Sequence, residues 1–175
     1  MKFNKIIFCL VVLCVAIPAC AQMGGERQTS EVTIKGKNVS INYGSPSING
    51  PALKGQDIFT VAPVGMVWRL GKNQATEITT TGTLTVAGKT LQPGKYTLWA
   101  KKTGQNAWLL AFHPKTGIWG EPAMTEGFVA ELPLKVEKVA DSADLLNISL
   151  VDLKGKAGVR VHWGTALLTG AFDVK

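Results

Sequence analysis

The chain has 175 residues and a formal charge of +7, from 19 Lys and Arg residues against 12 Asp and Glu residues. This length corresponds to one domain. The basic residues are scattered and never form a run of five, so we expect no nucleic-acid partner. The length therefore argues against a multidomain protein, and the scattered charge argues against a nucleic-acid-binding stripe. The fold has to be predicted from the order of the sequence elements.

Residues 1–21 have the composition of a signal peptide. Lys2 and Lys5 form a short positive region, and the apolar run 6–17 follows it. Twelve residues suit the hydrophobic region of a signal peptide but are too few to span a bilayer, which needs about 20. We therefore expect an exported protein, periplasmic or secreted, with no membrane span.

Small residues at Ala19 and Ala21 predict cleavage before Gln22. The alternative is lipoprotein processing at Cys20, which would anchor the protein to a membrane. The three cysteines all lie within residues 1–21, at Cys9, Cys14 and Cys20. The mature chain is then free of cysteine, and we expect no disulfide, no thiolate metal site, no metal and no cofactor.

Residues 22–29 are polar and contain glycine, which predicts a flexible lead-in. Residues 30–175 are dominated by apolar and polar residues in alternation, with Gly and Pro turns between the runs, as in 39–43, 96–101, 130–136, 146–150 and 159–163. No stretch of 12 residues has helical periodicity. This pattern predicts one all-β domain, an antiparallel β-sandwich of jelly-roll or immunoglobulin-like type. A closed up-and-down arrangement of the strands is the alternative.

The segment 45–67 interrupts the alternation. It is rich in Pro and Gly, yet it also contains apolar residues such as Leu53, Ile58 and Val61. A loop of this length in a compact domain is usually functional or disordered, and the apolar residues argue against disorder. We predict an ordered excursion that covers one end or one face of the sandwich.

Catalytic and metal-binding motifs are not evident. The two histidines, His113 and His162, are 49 residues apart, and no carboxylate stands at metal-ligand spacing from either. The acidic residues are mostly isolated, although a glycosidase pair distant in sequence remains an alternative. No catalytic residue is identified, and whether the protein is an enzyme is left open with a preference for a non-enzymatic role.

The segment 66–76 contains the richest set of candidate ligand-binding side chains, Trp68, Arg69, Asn73 and Thr76, to which we add Tyr43. Arg offers a planar fork of donors, Trp a flat apolar face, and Asn both a donor and an acceptor. Such a set suits a polyol, a carboxylate or a peptide end. The alternative is that Arg69 is a structural anchor, stacking on Trp68 and binding carbonyls of the 45–67 loop.

Three further tryptophans have different expected surroundings. Trp108 alternates with Leu110 and Phe112, which predicts a core position. Trp99 lies on the opposite side of its strand from Leu98, so it is either exposed or covered by the long loop. Trp119 lies in a loop between two glycines and is the sixth candidate ligand-binding residue, with packing as the equal alternative.

The chain resembles a family of exported bacterial proteins, common in Bacteroidetes, that is catalogued as domain of unknown function 2911. The resemblance covers roughly residues 32–174 and depends on several motifs: Tyr43-x-x-Pro46-Ser47, Trp68-Arg69-x-Gly71-x-Asn73-x-Ala75-Thr76, Leu91-x-Pro93-Gly94-x-Tyr96 and Val159-x-Val161-x-Trp163. It implies export and a shared fold, and it leaves activity open.

This chain departs from the family pattern at three places. Ser45 and Pro51 stand where the family usually has Arg, and Gly164 stands where a Glu commonly follows the last Trp. If those residues form a polar site with Arg69, that site is depleted here, which favours the anchor role for Arg69.

Three functions remain as hypotheses. The preferred one is a non-enzymatic periplasmic or surface binding module for a glycan or another small polar ligand. The others are a hydrolase with a dispersed carboxylate site and a structural partner in an envelope complex.

Overall fold

A computed structural model describes residues 26–51 and 53–175, with the side chains of residues 59 and 60 left aside. The predicted signal peptide, its cleavage site and the three cysteines lie outside the described residues. The described elements are β1 (Arg27–Ile34), β2 (Lys37–Gly44), α1 (Ile58–Val61), β3 (Val67–Trp68), β4 (Thr76–Thr80), β5 (Leu84–Val86), β6 (Lys89–Leu91), β7 (Gly94–Gly104), β8 (Ala107–His113), β9 (Ala130–Asp152) and β10 (Lys156–Val174).

The strands form one antiparallel sheet in the order β1-β2-β4-β7-β8-β9-β10-β5-β6, and β3 adds to β7. The prediction of an all-β antiparallel domain is confirmed. A single sheet arises because β9 is long enough to pair first with β8, over residues 130–134, and then with β10. The predicted β-sandwich arrangement, with its jelly-roll or immunoglobulin-like details, is not confirmed. Within the described residues, β1 and β6 are the edge strands at the two ends of this order.

The sheet curves around one main core. Alternate residues of the strands point into it, as Val39, Ile41 and Tyr43 do on β2. Two aromatic pairs join distant parts of the chain: Trp68 stacks on Trp163 at 5.4 Å, and Phe112 meets Phe172 edge-on at 6.0 Å. Such pairs add about 0.5–1.5 kcal/mol each to the stability that burial of their area gives.

A second, smaller core lies on the other face of β7 and β8. Its buried residues are Ala75, Trp99 and Ala111. The segment between β8 and β9, residues 114–129, covers them and is called the strap below. Trp99 is therefore fully buried, mainly under the strap, and Val67 at the end of the long loop also packs against its cluster, whereas Trp108 lies in the main core as predicted. The strap covers Trp99 because it contributes apolar side chains of its own, Ile118, Ala123, Met124 and Phe128.

The long loop of residues 45–67 is held to the sheet by apolar packing of Ile58 and Ala62 in the main core and by polar contacts. Asp144 of β9 accepts hydrogen bonds at its Oδ1 from Ser47 Oγ (2.9 Å) and Asn49 Nδ2 (2.7 Å). At the other end of the loop, the buried Lys102 donates from Nζ to the carbonyl of Ala62 at 2.7 Å. The loop also contains the one-turn helix α1, which the sequence pattern does not predict, and its last residue, Val67, begins β3.

The N-terminal lead-in ends earlier than predicted. β1 begins at Arg27, so residues 27–29 of the predicted flexible segment 22–29 belong to the sheet, where Arg27 pairs with Gly44. The physical reason is the Arg27 guanidinium, which donates to the carbonyls of Asn42 (2.9 Å) and Ala75 (3.2 Å). Burial lowers the pKa of Arg27 from its usual value, and Glu77 opposes that change.

The described part of the chain contains no helix with the length and apolar character needed to cross a lipid bilayer.

Candidate functional site

The six predicted ligand-binding residues divide into two groups by exposure. Tyr43, Trp68 and Thr76 are buried. Arg69 and Asn73 are half-buried, and Trp119 is 52% exposed. Only the second group can meet a ligand at the surface of this structure.

The three buried side chains pack or hydrogen-bond inside the fold, which corrects the prediction that they contact a ligand. Tyr43 points into the main core, like the other alternate residues of β2, and Trp68 stacks on Trp163 across the core. Thr76 donates from Oγ1 to the carbonyl of Leu70 at 2.6 Å, which closes the turn before β4. A buried hydroxyl with a short hydrogen bond to its own turn is a structural group.

The turn 69–75 brings the second group together. Leu70 and Asn73 both have positive φ, 53° and 63°. Asn tolerates this left-handed conformation, whereas for Leu it is strained. Leu70 adopts it because its side chain is fully buried in the main core. The turn therefore directs Leu70 inward and leaves Arg69 and Asn73 on the outer side.

The strap runs antiparallel to this turn and carries Trp119. Gly120 N donates to the Asn73 carbonyl and Ala75 N to the Ile118 carbonyl, both at 3.1 Å. Gln74 and Trp119 form the isolated β-bridge between these two hydrogen bonds. Trp119 thus has a fixed backbone on both sides, although its side chain is exposed.

Arg69 lies against the same part of the strap. Its Nε donates to the carbonyl of Gly71 at 3.3 Å, and its Nη1 is 3.4 Å from Glu121 Oε1. A Cβ at position 120 would lie 2.0 Å from Arg69 Cδ, so the strap needs glycine there. Nη1 is buried and makes no hydrogen bond, which leaves the ion pair with Glu121 as its polar contact.

These contacts change the role predicted for Arg69 as an anchor. We expected it to bind carbonyls of the 45–67 loop, and its observed partners are Gly71, Gly120 and Glu121 instead. The loop is held by Lys102 and Asp144, which the sequence analysis missed. The sequence contained a signal for Lys102, because it lies on the same, inward-facing side of β7 as Leu98 and Ala100. A lysine at such a position usually has a specific partner.

The histidines lie at strand ends or on polar faces, as predicted. His113 accepts a hydrogen bond at Nδ1 from Lys115 N (3.0 Å) and packs edge-on against Phe128 at 5.7 Å. Burial, and then the charge of Lys115, lower the pKa of His113. His162 Nε2 lies 3.2 Å from the carbonyl of Asp141. Across the described residues, no group of three or more His, Cys, Asp or Glu side chains could hold a metal ion.

Comparison with known proteins identifies the family but no characterised relative. The sequence model of one family, described as "Protein of unknown function (DUF2911)", matches residues 25–170. No curated protein and no solved structure matches the chain. The matched range contains the strap, the turn 69–75 and all ten strands except the last residues of β10. The chain therefore belongs to the DUF2911 family of proteins of unknown function.

Proposed function

We propose that this protein is an exported, non-enzymatic binding module for a glycan or a similar small polar ligand, which stacks on Trp119. The observation that supports the proposal is the exposure of the Trp119 side chain. A tryptophan in a core buries its large apolar ring, and this one leaves 52% of its surface in solvent although its backbone is held in place. An aromatic ring on a fixed backbone offers a flat apolar surface and has few rotatable bonds to order on binding.

Polar residues lie next to Trp119 on the strap and on the turn that pairs with it. Arg69 and Glu121 form an ion pair on the strap, and Asn73 bonds through its carbonyl to Gly120, the residue after Trp119. Glu121 is mostly exposed, so its carboxylate can accept hydrogen bonds from ligand hydroxyls. A sugar ring has an apolar face for the tryptophan and hydroxyls at its rim for such groups. We call Arg69, Asn73, Trp119 and Glu121 the Trp119 surface.

Export is the second part of the proposal and depends on residues 1–21 alone. Intact-mass measurement on protein made in a bacterial host tests it. We expect a mature chain that begins at Gln22. A lipid-modified Cys20 as the first residue would overturn cleavage before Gln22 and make the protein membrane-anchored.

An array of neutral and acidic oligosaccharides, probed with the labelled mature protein, tests the binding function. We expect saturable binding to at least one class of glycan, and its loss in Trp119→Ala. Leu153→Ala is the matched control, because Leu153 is a comparably exposed apolar side chain on the β9–β10 turn. Equal binding by Trp119→Ala and wild type, or no binding on the array, would contradict the proposal.

The described residues offer no specific support for the two other hypotheses, a hydrolase and a structural partner in an envelope complex. Glu121 supplies the one carboxylate of the Trp119 surface. A glycosidase needs a second carboxylate across the scissile bond, and no other member of this surface is acidic.

A further inference from the structure

A cavity of about 480 Å³ opens on another part of the molecule. This volume lies within the range of about 300–1,000 Å³ that is typical of small-molecule sites. The lining comes from the long loop, the β7–β8 turn, β9 and β10. Its polar members are Asp57, Asn106, Glu137, Lys138 and Thr165. We call it the β9–β10 cavity.

An interruption of the longest strand pair creates this cavity. Gly164 pairs with Ala143 and Ala166 pairs with Lys138, so four residues of β9 lie opposite the single residue Thr165. Bulges of this kind are common beside functional sites, because they redirect side chains away from the regular ladder. Here the irregularity separates the strands and leaves space above Ala166 and Val136, which form the apolar part of the wall.

The backbone next to the interruption lies close to the long loop. Gly164 has a φ of 59°, and a Cβ there would lie 2.7 Å from Ile48 Cδ1 and 3.7 Å from Asp57 Oδ2. Glycine is therefore required both by the left-handed conformation and by the space. Since position 164 has no side chain, the Asp57 carboxylate lies beside the strand backbone at the cavity wall.

The cavity combines charges of both signs. Asp57 and Glu137 are carboxylates, Lys138 is an ammonium group, and Asn106 and Thr165 supply neutral donors and acceptors. A purely anionic ligand would face two carboxylates, and a purely cationic one would face Lys138. A ligand with both charges can place each of its charged groups near an opposite charge of the lining, so that no like charges are opposed.

The observed partner of Glu137 leaves that carboxylate accessible to a ligand. Lys135 Nζ lies 2.8 Å from Glu137 Oε1, and the two side chains are 70% and 42% exposed. Ion pairs at such exposure contribute little to stability, about 0–1 kcal/mol. A ligand ammonium group can therefore share or replace Lys135 at small cost.

We propose that the β9–β10 cavity binds a small zwitterionic ligand of the amino-acid or short-peptide class, with its ammonium group against Asp57 and Glu137 and its carboxylate against Lys138. This site is separate from the Trp119 surface. The strap docks beside Thr76, which pairs with Leu98 of β7, whereas Asn106 follows Gly104 at the far end of that strand. Six residues of extended chain correspond to about 20 Å.

Three related dipeptides test the ligand class by NMR titration of the mature protein. Glycylglycine carries both charges at about pH 7, N-acetylglycylglycine only the negative one, and glycylglycinamide only the positive one. We expect saturable shifts at Lys138 and Thr165 with glycylglycine, and an affinity about tenfold weaker for each blocked form. Equal affinities for the three peptides, or no saturable shift with glycylglycine, would overturn the proposal.

Variants locate the site and separate it from the Trp119 surface. We expect Asp57→Asn and Lys138→Gln each to weaken glycylglycine binding about tenfold. The exposed residues Glu126 and Lys89 provide matched controls, since Glu126→Gln and Lys89→Gln change the same charges elsewhere. Trp119→Ala should also bind glycylglycine as wild type does. Lys138 is exposed, so Lys138→Gln folds even if Asp57→Asn does not, and wild-type binding by Lys138→Gln would refute the assignment.

Discussion

Two long segments outside the main strands cover the sheet, and they pack against different cores. The long loop of residues 45–67 buries Ile58 and Ala62 in the main core, and it is hydrogen-bonded at one end to Asp144 and at the other to the buried Lys102. The strap is fixed mainly by apolar packing on Trp99 and by two backbone hydrogen bonds to the turn 69–75. The comparison shows that the long loop is ordered by joining the main core and by hydrogen bonds to the sheet, whereas the strap builds a separate small core on the other face.

The largest effect is expected at the packing side of this comparison. Trp99→Ala removes the only large side chain among the three buried residues beneath the strap. Truncation of a buried Trp costs about 3–5 kcal/mol, because the site cannot collapse fully. Chemical denaturation should show this loss in the free energy of unfolding, and the strap should become the first site of proteolysis.

Trp119→Ala is the matched control for that experiment, since the same residue type is removed from the exposed side of the strap. We expect a change within about 0.5 kcal/mol. If both variants unfolded at the same denaturant concentration, packing on Trp99 would not be what holds the strap.

Lys102 is the corresponding test for the long loop. Lys102→Ala leaves the Ala62 carbonyl without its charged donor. The loss of a hydrogen bond to a charged group costs about 2–3 kcal/mol of unfolding free energy. Lys102→Met retains most of the buried stem, so it separates the hydrogen bond from the packing.

Lys89→Ala, at an exposed position of β6, is the control for Lys102. In Lys102→Met, amide hydrogen exchange should be faster than in wild type in the long loop and unchanged in the strap. Unchanged exchange throughout the loop would mean that the hydrogen bond from Lys102 is not what holds it.

Arg69 links the strap to the turn, and we expect a smaller effect there. Arg69→Ala should cost about 1–2 kcal/mol, because the contacts with Gly71 and Glu121 are lost together. Arg69→Lys retains the charge and loses the planar fork, so it should also be destabilised. Thermal denaturation of both variants tests the anchor role, and melting with wild type by both would contradict it.

Gly120→Ala sharpens the same test from the strap side. Its Cβ would meet the Arg69 side chain at 2.0 Å, so the variant should melt below wild type. The double variant Arg69→Ala, Gly120→Ala should lose less than the sum of the two single changes, because the clash disappears with the side chain.

The sequence predicts the strands well, because alternation is a local property of each strand and the Gly and Pro turns separate them. The single sheet could not be predicted, since no local signal tells β9 to pair with β8 first and β10 afterwards. The candidate site was only half predictable for a similar reason. Residue type identified Trp68 and Trp119 equally, and only the tertiary structure buries the first against Trp163 and exposes the second.

The smallest predicted effect is a pH dependence confined to the strap. His113 has a pKa below its ordinary value in the folded protein, through burial and the charge of Lys115. As the pH falls, the His113 side chain therefore takes up a proton more readily in the unfolded chain than in the folded one. Its contribution to the free energy of unfolding is fully present above about pH 6.5 and decreases as the pH falls below that value. Protonation also removes the acceptor at Nδ1 that Lys115 N uses at 3.0 Å. Thermal midpoints measured from about pH 7.5 to about pH 5.5 should fall more for wild type than for His113→Gln. The NMR signals of Lys115 and Phe128 should change with the same midpoint, since Phe128 packs on the His113 ring. An identical pH profile for wild type and His113→Gln would remove His113 from the contacts that hold the strap and leave Trp99 and Arg69 as its anchors.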